Sequence, residues 1–364
     1  MEIIGLIAEY NPFHNGHLYH INKIKELYPD SLLILVLNGY FLERGETSII
    51  SKENKTKLAL KNGIDIVVEL PVLYGSQSAD TFSEISIKIL NELNVTKIVF
   101  GSECNDINKL TSIAQKQLKN DLNVKEFLKQ GLNYPTSLNK ALNSDVNTPN
   151  DILGITYIKT ILKNNYNIEP ISIQRTNDYH DIKSNELIIS ASNIREKVKN
   201  KINIEKYVPE TKYINNINEE LLFTILKYKI TTEDHLSKYL TVDEGIENKL
   251  IKEINNCQNI EEVIKKIKSK RYTYNRLRRM LTHILLGIKK EDALIPLKYI
   301  RLLGFNKLGQ TYINKIKKQT NLPILTKIAE TDRCRNIEIK ASLIYEMLTK
   351  EIQIFEKKNK PIIK

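Results

Sequence analysis

The first half of the chain alternates short apolar runs with segments of helical periodicity. The apolar runs are rich in Ile, Val and Leu and are bounded by Asn, Gly or Pro, a pattern typical of strands buried on both faces of a parallel sheet. They are Ile3–Ala8, Leu32–Leu37, Ile64–Leu70, Lys97–Phe100 and Ile171–Gln174. The helical segments between them are Leu18–Leu27, Lys52–Lys61 and Phe82–Glu92. This order predicts an α/β fold with a doubly wound, Rossmann-like parallel sheet.

The second half has a different pattern. From about residue 216, apolar residues recur at helical spacing, as in Leu222, Ile225 and Leu226, and strand-like runs are almost absent. We therefore predict an α/β domain over residues 1–200 and an all-α domain over residues 201–364. Residues 107–147 are polar with scattered Leu and predict a helical insertion in the first domain.

Charge divides the chain in the same way. The formal net charge is +12, composed of −2 for residues 1–195 and +14 for residues 196–364. A basic half is typical of proteins that bind a polyanion, such as nucleic acid or an anionic membrane surface. Abundant Ile, Asn and Lys are also typical of an AT-rich genome, so charge alone leaves nucleic-acid binding open. A hydrophobic fraction of 41% and a charged fraction of 27% exclude global disorder.

Several other protein classes are disfavoured. Cys104, Cys257 and Cys334 are far apart and belong to no Cys-x-x-Cys motif or His/Cys cluster, which argues against zinc and against a disulfide framework. The start of the chain lacks the basic residues of a signal peptide. The apolar runs are far shorter than the ~18 residues that span a membrane. We expect a soluble, cytoplasmic protein without membrane association, and no obligate protein partner is evident.

The strongest chemical signal is the segment Glu9–His17, which reads Glu-Tyr-Asn-Pro-Phe-His-Asn-Gly-His and follows the first strand. A helix that begins near Gly16 directs free backbone N–H groups and a positive dipole end at the sheet edge, which is a ready anion site. His14 and His17 can converge there and stabilise charge on a phosphoryl oxygen as pyrophosphate leaves. The alternative is a turn with incidental histidines, but His-x-Gly-His after a first strand favours catalysis.

This motif resembles the signature of the nucleotidylyltransferase superfamily, and a second element supports the resemblance. Ile189–Arg195 is similar to the superfamily's Ile-Ser-Ser-Thr-x-Ile-Arg element. Ser192 is a natural helix N-cap, and Arg195 lies one turn inside, where it can hold phosphate. A Ser-rich N-cap before Arg is often only a helix start, but its pairing with His-x-Gly-His favours a phosphate role.

The resemblance narrows to one family. The run Gly5–His20 resembles the opening of the tRNA(Met) cytidine acetate ligases. Further matches, which together span nearly the whole chain, are Gly39–Glu46, Asp65–Pro71, Phe100–Glu103, Pro149–Gly154, Arg271–Leu281 and Leu303–Phe305. Two positions depart from the family pattern, because Glu43 stands where Gln is usual and Thr47 where Pro is usual.

The resemblance implies a two-step ligase that converts acetate and ATP to acetyl-adenylate and pyrophosphate. The acetyl group then passes to N4 of the wobble cytidine of elongator tRNA(Met), leaving N4-acetylcytidine and AMP. Ser192 and Arg195 would hold phosphates, and Mg²⁺ would accompany ATP without a protein metal site. The other ATP contacts that the resemblance implies are Ile7, Ala8, Glu9, Tyr10, Asn11, Pro12, Phe13, His14, Asn15, Gly16, His17, Leu18, Tyr19, His20, Gly101, Asn150 and Arg175.

The segment Tyr272–Leu285 predicts an amphipathic helix in the basic half. Its apolar side carries Leu277, Met280, Leu281 and Ile284. Its other side carries Tyr272, Arg276, Arg279 and His283, a set suited to backbone and base contacts on folded RNA. An ordinary solvated basic face is the alternative interpretation.

The sequence leaves the roles of several residues open. Arg44 could bind phosphate or tRNA, or it could be a solvated loop cation. We interpret Asp65 as a turn residue and Glu69 as a strand-end carboxylate, with catalysis by either as the lesser alternative. Two other functions also fit the motifs. One is a small-molecule adenylyltransferase of coenzyme metabolism, and the other is a non-catalytic, ATP-sensing RNA-binding protein.

Overall fold

The computed structural model describes residues 1–119, 122–132, 134–142, 146–175, 186–327, 332–351, 356 and 360–364. The strands are β1 (Ile3–Ala8), β2 (Leu32–Asn38), β3 (Ile66–Leu70), β4 (Lys97–Ser102), β5 (Glu169–Gln174), β6 (Ile300–Phe305), β7 (Ile324–Leu325) and β8 (Ile362–Ile363). The helices of the first half are α1 (Asn15–Leu27), α2 (Lys52–Lys61), α3 (Val72–Gly75), α4 (Ala79–Glu92), α5 (Ile107–Lys119), α6 (Leu122–Lys129), α7 (Tyr134–Leu142), α8 (Pro149–Asn164) and α9 (Ala191–Lys199). Those of the second half are α10 (Glu219–Thr232), α11 (Ile246–Ile254), α12 (Ile260–Ile267), α13 (Tyr274–Leu286), α14 (Lys307–Ile316) and α15 (Arg333–Thr349), with 3₁₀ turns at Leu236–Lys238 and Lys290–Leu294.

The sheet confirms the predicted α/β fold. Its strand order is β5-β4-β1-β2-β3-β6-β7, with β8 paired to β6. The first five strands in this order are parallel, and β1 pairs with both β2 and β4. The chain order therefore reverses beside β1, and ligands of doubly wound sheets bind in the crevice at the carboxyl ends of the strands at such a switch point. The His-x-Gly-His segment leaves β1 at this crevice.

The second half is mainly helical, but the prediction that it is all-α is wrong. β6 pairs antiparallel with β3, so residues 201–364 contribute strands to the same sheet. Gly304 lets α2 pack closely on β6, because a Cβ there would lie 2.8 Å from Cγ2 of Thr56 and 2.9 Å from Cδ1 of Leu60. Pairing with β6 also satisfies the backbone groups on the open edge of β3. The boundary at residues 200 and 201 stays a prediction, as does the insertion over 107–147, whose described part holds α5, α6 and α7.

A buried network of charged side chains joins the two halves. The ammonium of Lys52 on α2 lies 3.0 Å from Oε2 of Glu338 and 2.6 Å from Oε1 of Glu356, and it also contacts Glu69 on β3. Arg301 on β6 donates to Glu69 and Glu356 at 3.1 and 2.8 Å. Within the described residues, these three carboxylates form the one cluster with metal-ligand spacing. Because Lys52 contacts all three, the cluster is a structural ion network.

The described helices include none with the length and apolar character needed to cross a bilayer.

Replacing Lys52 with Met should lower the free energy of unfolding by about 3–5 kcal/mol, because carboxylates buried against the ammonium lose a cation. Lys57→Met is the matched control, since Lys57 lies on the same helix but is 42% exposed and pairs with Glu53. Its cost should stay below about 1 kcal/mol. Urea unfolding of both variants measures the difference, and equal costs would contradict the role given to the network.

Candidate active site

Two histidines begin the helix that follows the first strand. His14 is the N-cap of α1, and its Nδ1 accepts a hydrogen bond from the backbone N–H of Gly16 at 3.0 Å. Nδ1 of His17 accepts from the backbone N–H of His14 at 3.2 Å. This reciprocal arrangement is a capping box with imidazoles in place of the usual Ser and Glu side chains. The two ring centroids lie 3.9 Å apart.

The cap determines which imidazole nitrogen carries the proton. A backbone N–H can only donate, so Nδ1 of each ring is an acceptor and the proton of the neutral ring lies on Nε2. Burial, together with the positive charges of Arg175 and Arg195, lowers the pKa of His14 to about 3. Burial also holds the pKa of His17 well below its usual value, helped by His14, Arg175 and His20. Both rings are therefore neutral and present Nε2–H donors.

A cavity of about 890 Å³ lies above the switch point of the sheet, and most of the predicted ATP contacts form its wall. The predicted residues that line it are Ile7, Ala8, Glu9, Tyr10, Asn11, His14, Gly16, His17, Tyr19, His20, Gly101, Asn150, Arg175 and Arg195. Asn150 lies in the first turn of α8, and Gly101 lies in β4. A Cβ at Gly101 would lie 3.3 Å from Cγ of Arg175. The fold thus brings together residues that are up to 188 positions apart between Ile7 and Arg195.

The other predicted contacts lie outside this wall. Phe13 is buried in the hydrophobic core, and Leu18 packs against the group of core residues that includes Phe13. The amide of Asn15 donates to the carbonyl oxygens of Leu187 and Lys206. Pro12 is also outside the lining residues.

Ser192 does not cap α9, so that part of the prediction is wrong. The N-cap is Ser190, whose hydroxyl accepts from the backbone N–H of Asn193 at 3.1 Å. Ser192 lies inside the helix, where its hydroxyl accepts from Nη2 of Arg195 at 3.2 Å. Ser192 therefore positions Arg195.

Three residues in the cavity wall have a buried side-chain nitrogen without a hydrogen-bond partner in the described part of the chain, and a ligand could supply that partner. The side-chain oxygen of Asn11 accepts a hydrogen bond from the backbone N–H of Ile49 at 2.8 Å, so the amide nitrogen of Asn11 points away from Ile49. That nitrogen is buried and has no hydrogen-bond partner in the described part of the chain, and the same is true of Nε2 of His20 and Nε of Arg175. Leaving a buried donor unsatisfied costs about 1–3 kcal/mol. An anionic ligand rich in acceptor oxygens, such as a triphosphate, would satisfy such donors.

Arginines of the second half line the same cavity. Arg276 and Arg279 on α13 are part of its wall. Nη1 of Arg279 lies 2.9 Å from Oε1 of Glu43, in the loop after β2. Gly45 makes this approach possible, because it has φ +73° and a Cβ there would lie 2.4 Å from the carbonyl carbon of Arg278. The loop also accepts a hydrogen bond at the Gly45 carbonyl from the hydroxyl of Thr282 at 3.0 Å.

Two residues predicted to bind tRNA are not on an open face. His283 is fully buried, its Nε2 lies 3.0 Å from the carbonyl oxygen of Ser76, and burial lowers its pKa to about 4. The prediction that His283 contacts tRNA is therefore wrong, because this side chain is buried with its ring nitrogens against the carbonyl oxygens of Ser76 and Leu240. Tyr272 is only 5% exposed. The Arg276 guanidinium lies 4.4 Å from its ring centroid, so Tyr272 supports Arg276.

The residues left open by the sequence have distinct positions. Asp65 is buried and accepts from the backbone N–H of Leu33 at 2.8 Å and from the amide of Asn306 at 2.6 Å, so its role is structural. Glu69 belongs to the buried ion network. Arg44 lines the cavity.

Sequence patterns missed a further set of wall residues. The apolar part of the wall includes Phe82, Phe100, Leu153 and Tyr157. These residues belong to α4, β4 and α8, whose buried faces show the same periodicity as any core residue, so only the tertiary structure reveals that they border a cavity.

Comparison with known proteins places this geometry in a family. The family model described as HIGH Nucleotidyl Transferase matches residues 1–360. A tRNA(Met) cytidine acetate ligase of Thermoanaerobacter sp. (strain X514) is 38% identical over 359 residues, which cover 91% of this chain and 90% of that protein. The enzyme of the same name from Bacillus subtilis (strain 168) is 37% identical over 389 aligned positions, covering 96% of this chain and 93% of that protein.

Solved structures match across the whole fold. The apo crystal structure of Thermotoga maritima TmcAL (form I) has a TM-score of 0.90 and 28% identity, and the match covers 100% of this chain and 99% of that one. The crystal structure of the same protein bound with alpha-thio ATP (form II) has a TM-score of 0.84 and 26% identity over the same shares. Together with the His-x-Gly-His cap at the switch point, these matches show that the chain belongs to the HIGH nucleotidyl transferase family and, within it, to the tRNA(Met) cytidine acetate ligases.

Proposed function

We propose that this protein is an ATP-dependent ligase that activates acetate as acetyl-adenylate and transfers the acetyl group to N4 of the wobble cytidine of elongator tRNA(Met). One observation carries the proposal. A single cavity is lined both by the histidine-capped start of α1 and by two arginines of α13. Such a cavity can hold an adenylate and admit a polyanionic acceptor at the same time.

The first step forms the acetyl-adenylate. An acetate oxygen attacks the α-phosphorus of ATP, and pyrophosphate leaves. The Nε2–H groups of His14 and His17 donate to phosphoryl oxygens on which charge develops, and they do so without changing protonation state. Arg175 and Arg195 add positive charge at the same place.

The second step transfers the acetyl group. The exocyclic amine of the cytidine attacks the acetyl carbonyl carbon, and AMP leaves. Arg276 and Arg279 bind the phosphate backbone around the acceptor nucleotide. The guanidinium of Arg276 is held in place over the ring of Tyr272. Mg²⁺ accompanies ATP and is bound through triphosphate oxygens and water. Acetate as the carboxylate, action without an obligate protein partner, and a cytoplasmic location belong to the same proposal.

Labelled pyrophosphate should exchange into ATP only when acetate is present, because exchange requires reversal of acetyl-adenylate formation. Addition of elongator tRNA(Met) should then yield N4-acetylcytidine, measured by nucleoside analysis. Exchange that needs a phosphorylated metabolite would favour a small-molecule adenylyltransferase. ATP binding without exchange for any carboxylate would favour a non-catalytic ATP sensor.

His17→Asn should reduce acetate-dependent exchange by about 10²–10³-fold. The Asn oxygen can still accept from the backbone N–H of His14, so this variant keeps the helix cap and loses the Nε2–H donor. His17→Gln is the matched variant, because its longer amide returns a donor near the Nε2 position, and it should retain more activity. Equal activity in the two variants would contradict the donor role, and tRNA affinity should be unchanged in both.

Arg276→Glu combined with Arg279→Glu should weaken tRNA binding. The slope of log association constant against log salt concentration should also become less steep by about 2. Lys25→Glu with Lys307→Glu is a control with the same change in charge. Lys25 is in the last turn of α1 and Lys307 begins α14 beside Asp65, so both lie near the amino ends of the strands, away from the cavity. Filter binding over a salt series compares the pairs. Equal affinities for the two double variants would show that the α13 arginines form only a solvated face.

A further inference from the structure

Proton transfer from the acceptor amine requires a base that the histidines do not provide. When the cytidine nitrogen bonds to the acetyl carbon, one of its protons must leave. The Nδ1 atoms of His14 and His17 are engaged by backbone N–H groups, and their Nε2 atoms already carry protons. In this cavity the histidines are donors, so the proton acceptor must be another group.

Carboxylates are the obvious candidates, and four of them line the cavity within the described chain: Glu9, Glu43, Glu46 and Asp80. Three of these four are neutralised by cations. Glu43 pairs with Arg279 at 2.9 Å, Glu46 pairs with Arg195 at 3.0 Å, and Asp80 pairs with Lys159.

Glu9 differs from the other three. It directly follows β1, and its Oε1 accepts two hydrogen bonds, from the amide of Asn38 at 2.8 Å and from the backbone N–H of Glu43 at 2.8 Å. Asn38 is itself fixed, since its amide also donates to the carbonyl oxygen of Gly75 at 2.9 Å. These bonds hold the carboxylate by one oxygen, and no described residue donates a hydrogen bond to Oε2. No cation among the described residues lies within ion-pair distance of Glu9.

The position of Glu9 suits the meeting of the two substrates. Glu9 lines the same cavity as His14 and His17 at the start of α1. It is also bonded to the backbone N–H of Glu43, whose side chain pairs with Arg279 on α13. We therefore infer that Glu9 lies where an amine held by the α13 arginines would meet an adenylate held by the histidines.

We propose that Glu9 is the general base of acetyl transfer, a role that rests on the proposed function. The N4–C bond forms, and the C–O bond between the acetyl group and the phosphate breaks with its electron pair going to AMP. The proton of N4 moves to Oε2 of Glu9, which later returns it to water. General bases in such positions contribute about 10²–10⁴-fold to a rate.

The ionisable neighbours of Glu9 come from several elements. Lys55 of α2 is buried nearby and donates to the carbonyl oxygens of Asn38 and Gly39 at 3.1 and 2.7 Å. Tyr157 of α8 and Glu43 of the loop after β2 are close enough to interact with it electrostatically. His20 also lines the cavity, but its charged neighbour is Arg175, on the nucleotide side.

The test separates the two half-reactions. Chemically prepared acetyl-adenylate and elongator tRNA(Met) are mixed with excess enzyme, and N4-acetylcytidine is measured over a single turnover. Glu9→Gln keeps the acceptor oxygen for Asn38 and Glu43 but removes the base. Its transfer rate should fall by about 10²–10⁴-fold, and the ratio of transfer to acetate-dependent exchange should fall with it. In the wild type, the transfer rate should fall at acidic pH, and this acidic limb of the pH–rate profile should vanish in Glu9→Gln.

Two further variants sharpen the result. Glu53→Gln removes a carboxylate that pairs with Lys57 on α2 and is not among the lining residues of the cavity, so it should keep the wild-type transfer rate and acidic limb. Glu9→Asp retains a base one methylene further back, so it should keep the limb at a reduced rate. This variant still tests the proposal if Glu9→Gln fails to fold.

Three results would overturn the role of Glu9. The first is an unaltered transfer rate and acidic limb in folded Glu9→Gln. The second is an equal loss of exchange and transfer, or an increased Mg²⁺ requirement for exchange, which would assign Glu9 to adenylation. The third is loss of the limb in His20→Gln instead. Absence of acetate-dependent exchange in the wild-type protein is a different outcome, because it would overturn the proposed function itself.

Discussion

The buried ion network around Lys52 is the interaction on which the arrangement of the molecule depends. It joins α2 and β3 of the first half to β6, α15 and Glu356 of the second. Burying these charges is costly, and the cost is offset only when every partner is in place. The network therefore disfavours arrangements in which β6 leaves the edge of β3. Because α13 packs against α15, which carries Glu338 of the network, this constraint also helps to hold the arginines of α13 in place beside the cavity.

At the crevice, the hydrogen bonds that begin a helix also prepare the chemistry. A helix start needs acceptors for its first N–H groups. Here the acceptors are the Nδ1 atoms of His14 and His17, so capping leaves the proton of each ring on Nε2, in residues that line the cavity. Burial keeps both rings neutral. A substitution that preserves the helix can thus remove the chemistry, and one that preserves the donor can weaken the helix.

The loop after β2 connects this chemistry to the second half. Gly45 permits backbone contact with α13, and Glu43 pairs with Arg279 there while its N–H orients Glu9. Arg279 on α13 is therefore linked through one residue, Glu43, to the carboxylate of Glu9 in the wall of the same cavity.

The five parallel strands of the first half and helices α1, α2 and α4 could be predicted from the sequence, because buried strands and their crossover helices have local periodicity, whereas α3 and α8 were not predicted. Helix α2 spans Lys52–Lys61 as predicted, and His-x-Gly-His predicts an anion site at the start of α1. The sequence also predicted the segregation of positive charge into residues 196–364. Features that depend on contacts between residues distant in the chain could not be predicted from local pattern. The run Ile300–Phe305 is a strand because it pairs with the open edge of β3. His283 is buried against the carbonyl oxygens of Ser76 and Leu240, and Ser190, not Ser192, caps α9. The free oxygen of Glu9 belongs to the same class, since its environment is made by residues 29 and 34 positions away that no local pattern connects to it.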